Sequence, residues 1–196
     1  MKTLRDFKDI HTHNPVPSAD SVISLDYDSD IPDKGYYSIG IHPWQTESVT
    51  SLDDVIDILK TKAIKNNVVA IGEAGLDRLR GADIDSQKEI FTAQAILAET
   101  LGKPLVIHCV KAFDVLIAIK KILKPGQLWV VHGFRGKPQT ARQLLDAGIA
   151  LSFGEKFNDD ALRVVDDEHL YTETDESQDD IDSIRGKIAV IRAKNK

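Results

Sequence analysis

Sulfur is nearly absent from this 196-residue chain, which has one cysteine, Cys109, and one methionine. A lone cysteine cannot close an intrachain disulfide, and no CxxC metal motif is present, so the expected compartment is a reducing one, the cytoplasm. Long hydrophobic runs are missing too. Lys, Asp, Gln or Gly interrupts every apolar stretch before it reaches the length of a bilayer span. Residues 1–20 lack the charged, apolar and small-residue order of a leader peptide. Positive charge is in deficit, with 25 Lys and Arg against 31 Asp and Glu, a net charge of −6. That balance argues against a general polyanion-binding surface, although not against a small phosphate pocket whose positive charge comes from metal ions. Neither a Ser–His–Asp arrangement nor a phosphate-binding glycine loop is found.

What the chain does have is ordinary globular composition, 42% hydrophobic and 29% charged, enough for one sizeable core and a single domain over 1–196. Metal-type side chains recur at the ends of apolar runs. His11 and His13 close Phe7–Ile10, Glu73 follows Val68–Gly72, and His108 ends Pro104–Ile107. His132 ends Leu128–Val131, and Asp175 ends Leu170–Thr174. Short strands are expected at Val22–Leu25 and Tyr36–Ile41, with no room for helices between the first three strands. From Ser51 onward strands alternate with helices: a helix from Ser51, a strand at Val68–Gly72, a helix at Gln87–Leu101, a strand at Pro104–His108. Helical spacing from Phe113 to Leu123, Pro138 to Ala147, near Asp159–Val165 and Ile181 to Ala193 continues the pattern. Eight strands, the last five alternating with helices, predict a (β/α)8 TIM barrel, shortened and lacking helices after its first two strands. Such a barrel carries its site at the C-terminal rim, where the six strand-end residues would meet. Apolar surface left bare by the missing helices would suit a homo-oligomer.

Each residue has a plain reading beside the chemical one. His11 and His13 alternate along a strand, so both face one side and can chelate one ion; they also read as surface histidines. Glu73 ends a nearly all-apolar strand, so it must be paired with a cation, either a metal or a barrel Lys or Arg. His108 and His132 singly read as structural, and together at equivalent strand ends they read as ligands of a second ion. Asp175 beside the first strand can bind metal and take a proton from water, or sit in an acidic tail with Asp179, Asp180 and Asp182; which of Glu173, Asp175 and Glu176 faces inward depends on register. His42 closes the third strand and is read as a rim residue. Asp77 is ambiguous, and Cys109 is read as a packing residue.

Asp9-Ile10-His11-Thr12-His13, Gly40-Ile41-His42-Pro43, Ile71-Gly72-Glu73-Ala74-Gly75-Leu76-Asp77, Ile107-His108, Val131-His132-Gly133-Phe134-Arg135-Gly136 and Glu173-Thr174-Asp175 occur in the order found in TatD-family metal-dependent hydrolases. The resemblance runs from about Phe7 to Asp175. It implies an amidohydrolase-related TIM barrel with deoxyribonuclease or other phosphoester activity. It also implies one ion on His11, His13, Glu73 and Asp175, and a second on Glu73, His108 and His132. Val110 stands where the family often has Arg, which leaves Arg135 and Lys111 as the expected phosphate contacts. The expected chemistry is metal-assisted hydrolysis of a phosphodiester at a DNA end or in a small substrate, with Asp175 and Glu73 catalytic and His42, Lys111 and Arg135 on the substrate. Nitrogen-rich ligation suits Zn best; Mn, Ni, Fe and Mg are the alternatives. The competing readings are hydrolysis of an amide or ester bond, and metal binding without turnover.

Overall fold

Residues 2–193 are described by a computed structural model. Eight strands run in parallel in sequence order: β1 (Asp9–Thr12), β2 (Ser21–Asp26), β3 (Tyr36–Gly40), β4 (Val68–Asp77), β5 (Leu105–Val110), β6 (Trp129–Val131), β7 (Ile149–Phe153) and β8 (Leu170–Thr172). A parallel bridge between Thr12 and Asp175 joins the last strand's end to the first and closes the ring. The architecture is the expected TIM barrel. Chain 13–20 and chain 27–35 connect the first three strands without a helix, again as expected. After β3 comes a 3-10 helix, Pro43–Ser48, and then α1 (Leu52–Ala63). The remaining helices are α2 (Ile84–Leu101), α3 (Phe113–Leu123), α4 (Pro138–Asp146), α5 (Asp159–Arg163) and α6 (Ile181–Ala193).

Local chemistry explains the boundaries. Ser51 caps α1 by accepting the Asp54 N–H at 3.3 Å, with Asp53 and Asp54 in the first turn and Lys60 and Lys62 in the last. These charges oppose the poles of the helix dipole. Asp83 caps α2 by accepting from Asp85 and Ser86, so the helix begins before Gln87, and it ends at Gly102 in the left-handed region. Asp83 and Gly102 are ordinary start and stop residues, and the shift at the start reflects a cap that outranks the first apolar position.

β4 differs most from expectation. It continues five residues past Gly72, to Asp77, and every one of its ten residues is buried. Two glycines let it do so. A side chain on Gly72 (φ +141°) would strike the Val106 carbonyl, and one on Gly75 would strike the His108 carbonyl. With hydrogen in those places the β4 backbone lies against β5 across a register shift between Ile71 and Ala74. That shift sets the Glu73 carboxylate beside the β5 histidine.

Two apolar layers hold the frame. Leu105, Ile107, Trp129, Val131, Ile149 and Leu151 belong to the large cluster packed under the helices. Val22, Val69, Val106, Val130 and Ala150 belong to a smaller one. Val106 precedes His108 by two residues on β5, so the two share a strand face, and Val130 stands two residues before His132, just past the end of β6. The smaller cluster is therefore the floor on which the ligand layer rests.

Candidate metal centre

Glu73 is the centre of the rim. Its carboxylate, 8% exposed, lies within hydrogen-bonding distance of five imidazoles carried by different parts of the barrel. His11 Nε2 and His13 Nε2 are each 3.3 Å from Oε2. His42 Nε2 and His108 Nδ1 are each 3.2 Å from Oε1, and His132 Nε2 is 2.8 Å from it. Asp175 Oδ1 stands 3.7 Å from both His11 Nε2 and His13 Nε2. Backbone pairing locks this corner: His13 N–H donates to the Asp175 carbonyl and Asp175 N–H to the His11 carbonyl, both at 3.0 Å.

A carboxylate has about four lone-pair sites, too few to satisfy five imidazoles. The rings show it. His11 and His132 are fully buried or nearly so, yet neither ring nitrogen of either makes a hydrogen bond of acceptable geometry. Leaving buried polar atoms unpartnered costs about 1–3 kcal/mol each. Nitrogen donors turned toward a shared carboxylate without bonding to it fit a cation between them. Three sets of ligand atoms lie close enough to share an ion: His11, His13 and Glu73; His11, His132 and Asp175; and His42, Glu73 and His108. Electrostatics agree. Burial pushes the Glu73 carboxyl up, but the facing imidazoles, His132 foremost, outweigh it and hold Glu73 well below the usual carboxylate range. Burial pushes His132 down, and Glu73 with Glu173 overrides this to hold it well above the usual imidazole value. The pocket is built to balance one anionic hub with positive charge around it.

A cavity of about 450 Å³ opens above the hub, lined by His13, His42, Trp44, Glu73, His108 and Asp175 among others. A family model described as "TatD related DNase" matches residues 10–186. The chain belongs to this TatD-related family. Among curated relatives it is 34% identical over 114 residues to the 3'-5' ssDNA/RNA exonuclease TatD of Pantoea ananatis, covering 57% of this chain and 43% of that protein. It is 30% identical over 149 residues to the uncharacterized metal-dependent hydrolase YabD of Bacillus subtilis, covering 71% and 58%. The chain thus spans about half the length of the curated relatives it matches. The crystal structure of YJJV, a TatD homologue from Escherichia coli K12, superimposes with a TM-score of 0.76 at 20% identity, over 97% of this chain and 96% of that one. At that identity the likeness speaks for the fold alone.

The TatD-family barrel brings together all six residues read as ligands from the sequence. It adds His42, read as a rim residue, which reaches Glu73 and groups with His108. Lys111, with φ 53° just past β5, is exposed and is not among the residues lining the 450 Å³ cavity. Arg135, also exposed, lines a neighbouring 300 Å³ pocket that shares Asp175 and Glu176 with it.

Three supporting acids lie behind the ligands. Asp77 Oδ2 accepts the Trp44 indole N–H at 2.7 Å and sits 3.4 Å from His108 Nε2. This leaves His108 Nδ1 facing Glu73. Glu173, fully buried, accepts the Gly133 N–H at 2.5 Å and lies 3.6 Å from His132 Nδ1, leaving Nε2 for the hub. Asp9 accepts N–H groups of His11 and Thr174 and the Thr174 hydroxyl at 3.3, 3.0 and 2.6 Å. Burial pushes its carboxyl up to about 6. Asp77 and Glu173, each beside the outer nitrogen of a ring, are placed to fix ring orientation and raise ligand basicity, whereas Asp9 holds the His11 backbone. Glu173 and Asp9 stand two positions from Asp175 and His11, a spacing that on a strand would place each on the ligand's face.

Proposed function

We propose that this chain is a divalent-metal-dependent phosphodiesterase that hydrolyses nucleic acid at a single-stranded end, with short DNA as its simplest substrate. The observation that carries the reading is the Glu73 hub: one buried carboxylate within 2.8–3.3 Å of five imidazole nitrogens. The relatives named as nuclease and as metal-dependent hydrolase supply the reaction class.

His11, His13, Glu73 and Asp175 would hold one ion, and Glu73, His108 and His132 a second, with His42 joining the second set. Zn suits the nitrogen-rich donors best, ahead of Mn, Ni and Fe. Bound there, divalent ions supply Lewis acidity toward a phosphoryl oxygen and make water a better nucleophile. Asp175 is half open to the cavity, its side chain 25% exposed, and is placed to accept the proton of the attacking water. Glu73, kept ionised, holds the two ligand sets together. Arg135, in the adjoining pocket, is a candidate contact for the strand leaving the site, and Lys111 a more remote one.

The test is hydrolysis of a short end-labelled single strand by freshly purified protein. Cleavage should disappear with chelator and return with Zn or Mn. Cleavage that persists after full removal of metal would reject the reading. Turnover of an amide or ester panel in place of DNA would keep the metal site and replace the substrate class.

A further inference from the structure

Trp44 stands at the cavity's edge in an unusual state for a tryptophan: 47% exposed, yet held on several sides. Its indole N–H is tied to Asp77 at 2.7 Å. Its ring meets those of His42 and His108 at near-perpendicular angles, with centroids 4.7 and 5.7 Å away. The Arg80 guanidinium lies over the indole, 4.3 Å from the ring centroid. Arg80 is exposed and forms no ion pair among the described residues. The loop carrying it is sewn down on both sides. Leu79 N–H donates to Asp77 at 2.8 Å, the Arg80 carbonyl accepts from buried Gln87 at 2.9 Å, and Ala82 N–H donates to Thr46 at 3.0 Å. A flat cation and a flat aromatic are therefore fixed together at the rim, one side chain away from the histidines of the hub.

Resting on the nuclease reading above, we propose that the Trp44–Arg80 stack is the nucleobase platform of this site. The base flanking the cleaved bond would lie on the stack's exposed surface, and Arg80 would draw in the adjacent phosphate. Indole and guanidinium faces accept any base, because every base has a π-face, so the platform favours single strands with unstacked bases and has little sequence preference. Arg80, stacked on Trp44 beside the cavity, also supplies positive charge next to a mouth lined by Asp26 and Glu176. Asp77 couples the platform to chemistry, since the same carboxylate oxygen that holds the indole faces His108.

Fluorescence tests this directly. The only other tryptophan, Trp129, is fully buried, so a ligand at the rim reports through Trp44. The probe is a short single strand with phosphorothioate linkages, compared with the same strand carrying abasic residues next to the end. The intact strand should quench Trp44 and bind about tenfold more tightly than the abasic one. Arg80→Ala should weaken binding and reduce the slope of log affinity against log salt by about 1, while Arg80→Lys restores the slope but not the base preference. If the protein cleaves DNA but binds abasic and intact strands equally without quenching, the platform is rejected and the nuclease reading stands. If it neither binds nor cleaves the strands, both fall.

Discussion

Asp175 and Glu173 show how two acids two positions apart come to do different work. Glu173 is fully buried against His132 and Gly133, while Asp175 adopts a positive φ of 54° and pairs its backbone with His11 and His13. β8 ends at Thr172, so strand alternation no longer governs where these side chains point, and the sequence left their facing open. Asp175→Asn should lower hydrolysis by about 10²–10⁴-fold, the usual contribution of a general base, in a protein with an unchanged circular dichroism spectrum; near-normal turnover would remove that role. Glu173→Gln should lower metal affinity by about 10–100-fold by loosening His132, measured by competition with a chromogenic chelator; unchanged affinity would make Glu173 merely structural. Cys109 was legible from its neighbours alone. It is buried, and burial pushes its thiol up to about 12. It should resist alkylation at pH 8 in the native protein and react fully once unfolded.

At the scale of elements, helix ends are written locally in their caps, although the apolar spacing alone starts α2 three residues late, at Gln87. Ser51 opens α1, Asp83 opens α2 and Gly102 closes it. The sequence pattern ends β4 early because its polar end, Glu73 to Asp77, looks like the start of a loop until the site that satisfies those carboxylates exists. α2 contains the less legible device. Gln94 accepts the Ile41 N–H at 2.7 Å and donates to the Ile41 carbonyl at 3.0 Å; Gln87, two turns earlier, does the same for Asp77 at 2.7 and 2.9 Å. Each glutamine amide imitates a strand partner for the backbone beside a site residue. Gln94 lies one helical turn from Ile90 on the buried face of α2, and only the structure shows what it grips. Lys103 plays a purely structural part. Buried at 5% exposure, it donates to the carbonyls of Ala63 and Val68, and burial pulls its pKa down. Lys103→Met should cost about 2–3 kcal/mol in urea unfolding, from carbonyls left unpaired, without changing metal content; a stability loss under 0.5 kcal/mol would show that the carbonyls find other partners.

For the molecule as a whole, parallel order and the C-terminal position of the site follow from alternation, closure from the count of eight strands, and the absence of helices from the short first two connections. What the sequence does not show is how the ring is sealed. The seam between β8 and β1 rests on the Thr12–Asp175 bridge together with side chains: Asp9 with Thr174, Thr174 with Thr12 at 2.7 Å, and the Thr172 hydroxyl with the Lys8 carbonyl at 2.5 Å. Since ligands from both edges meet there, metal should act as part of the closure. A protein saturated at about a hundred times its dissociation constant gains roughly 2.7 kcal/mol, which for a chain of this size is on the order of 5–10 °C in Tm. Chelation should lower the melting temperature by that amount and Zn should restore it.

The central claim is that Glu73 joins two metal-binding sets in one barrel. Elemental analysis of protein loaded with Zn and then desalted measures this directly. About two ions per chain are expected, falling to less than one in Glu73→Ala folded protein. Wild-type protein that retains no metal after loading would contradict the claim.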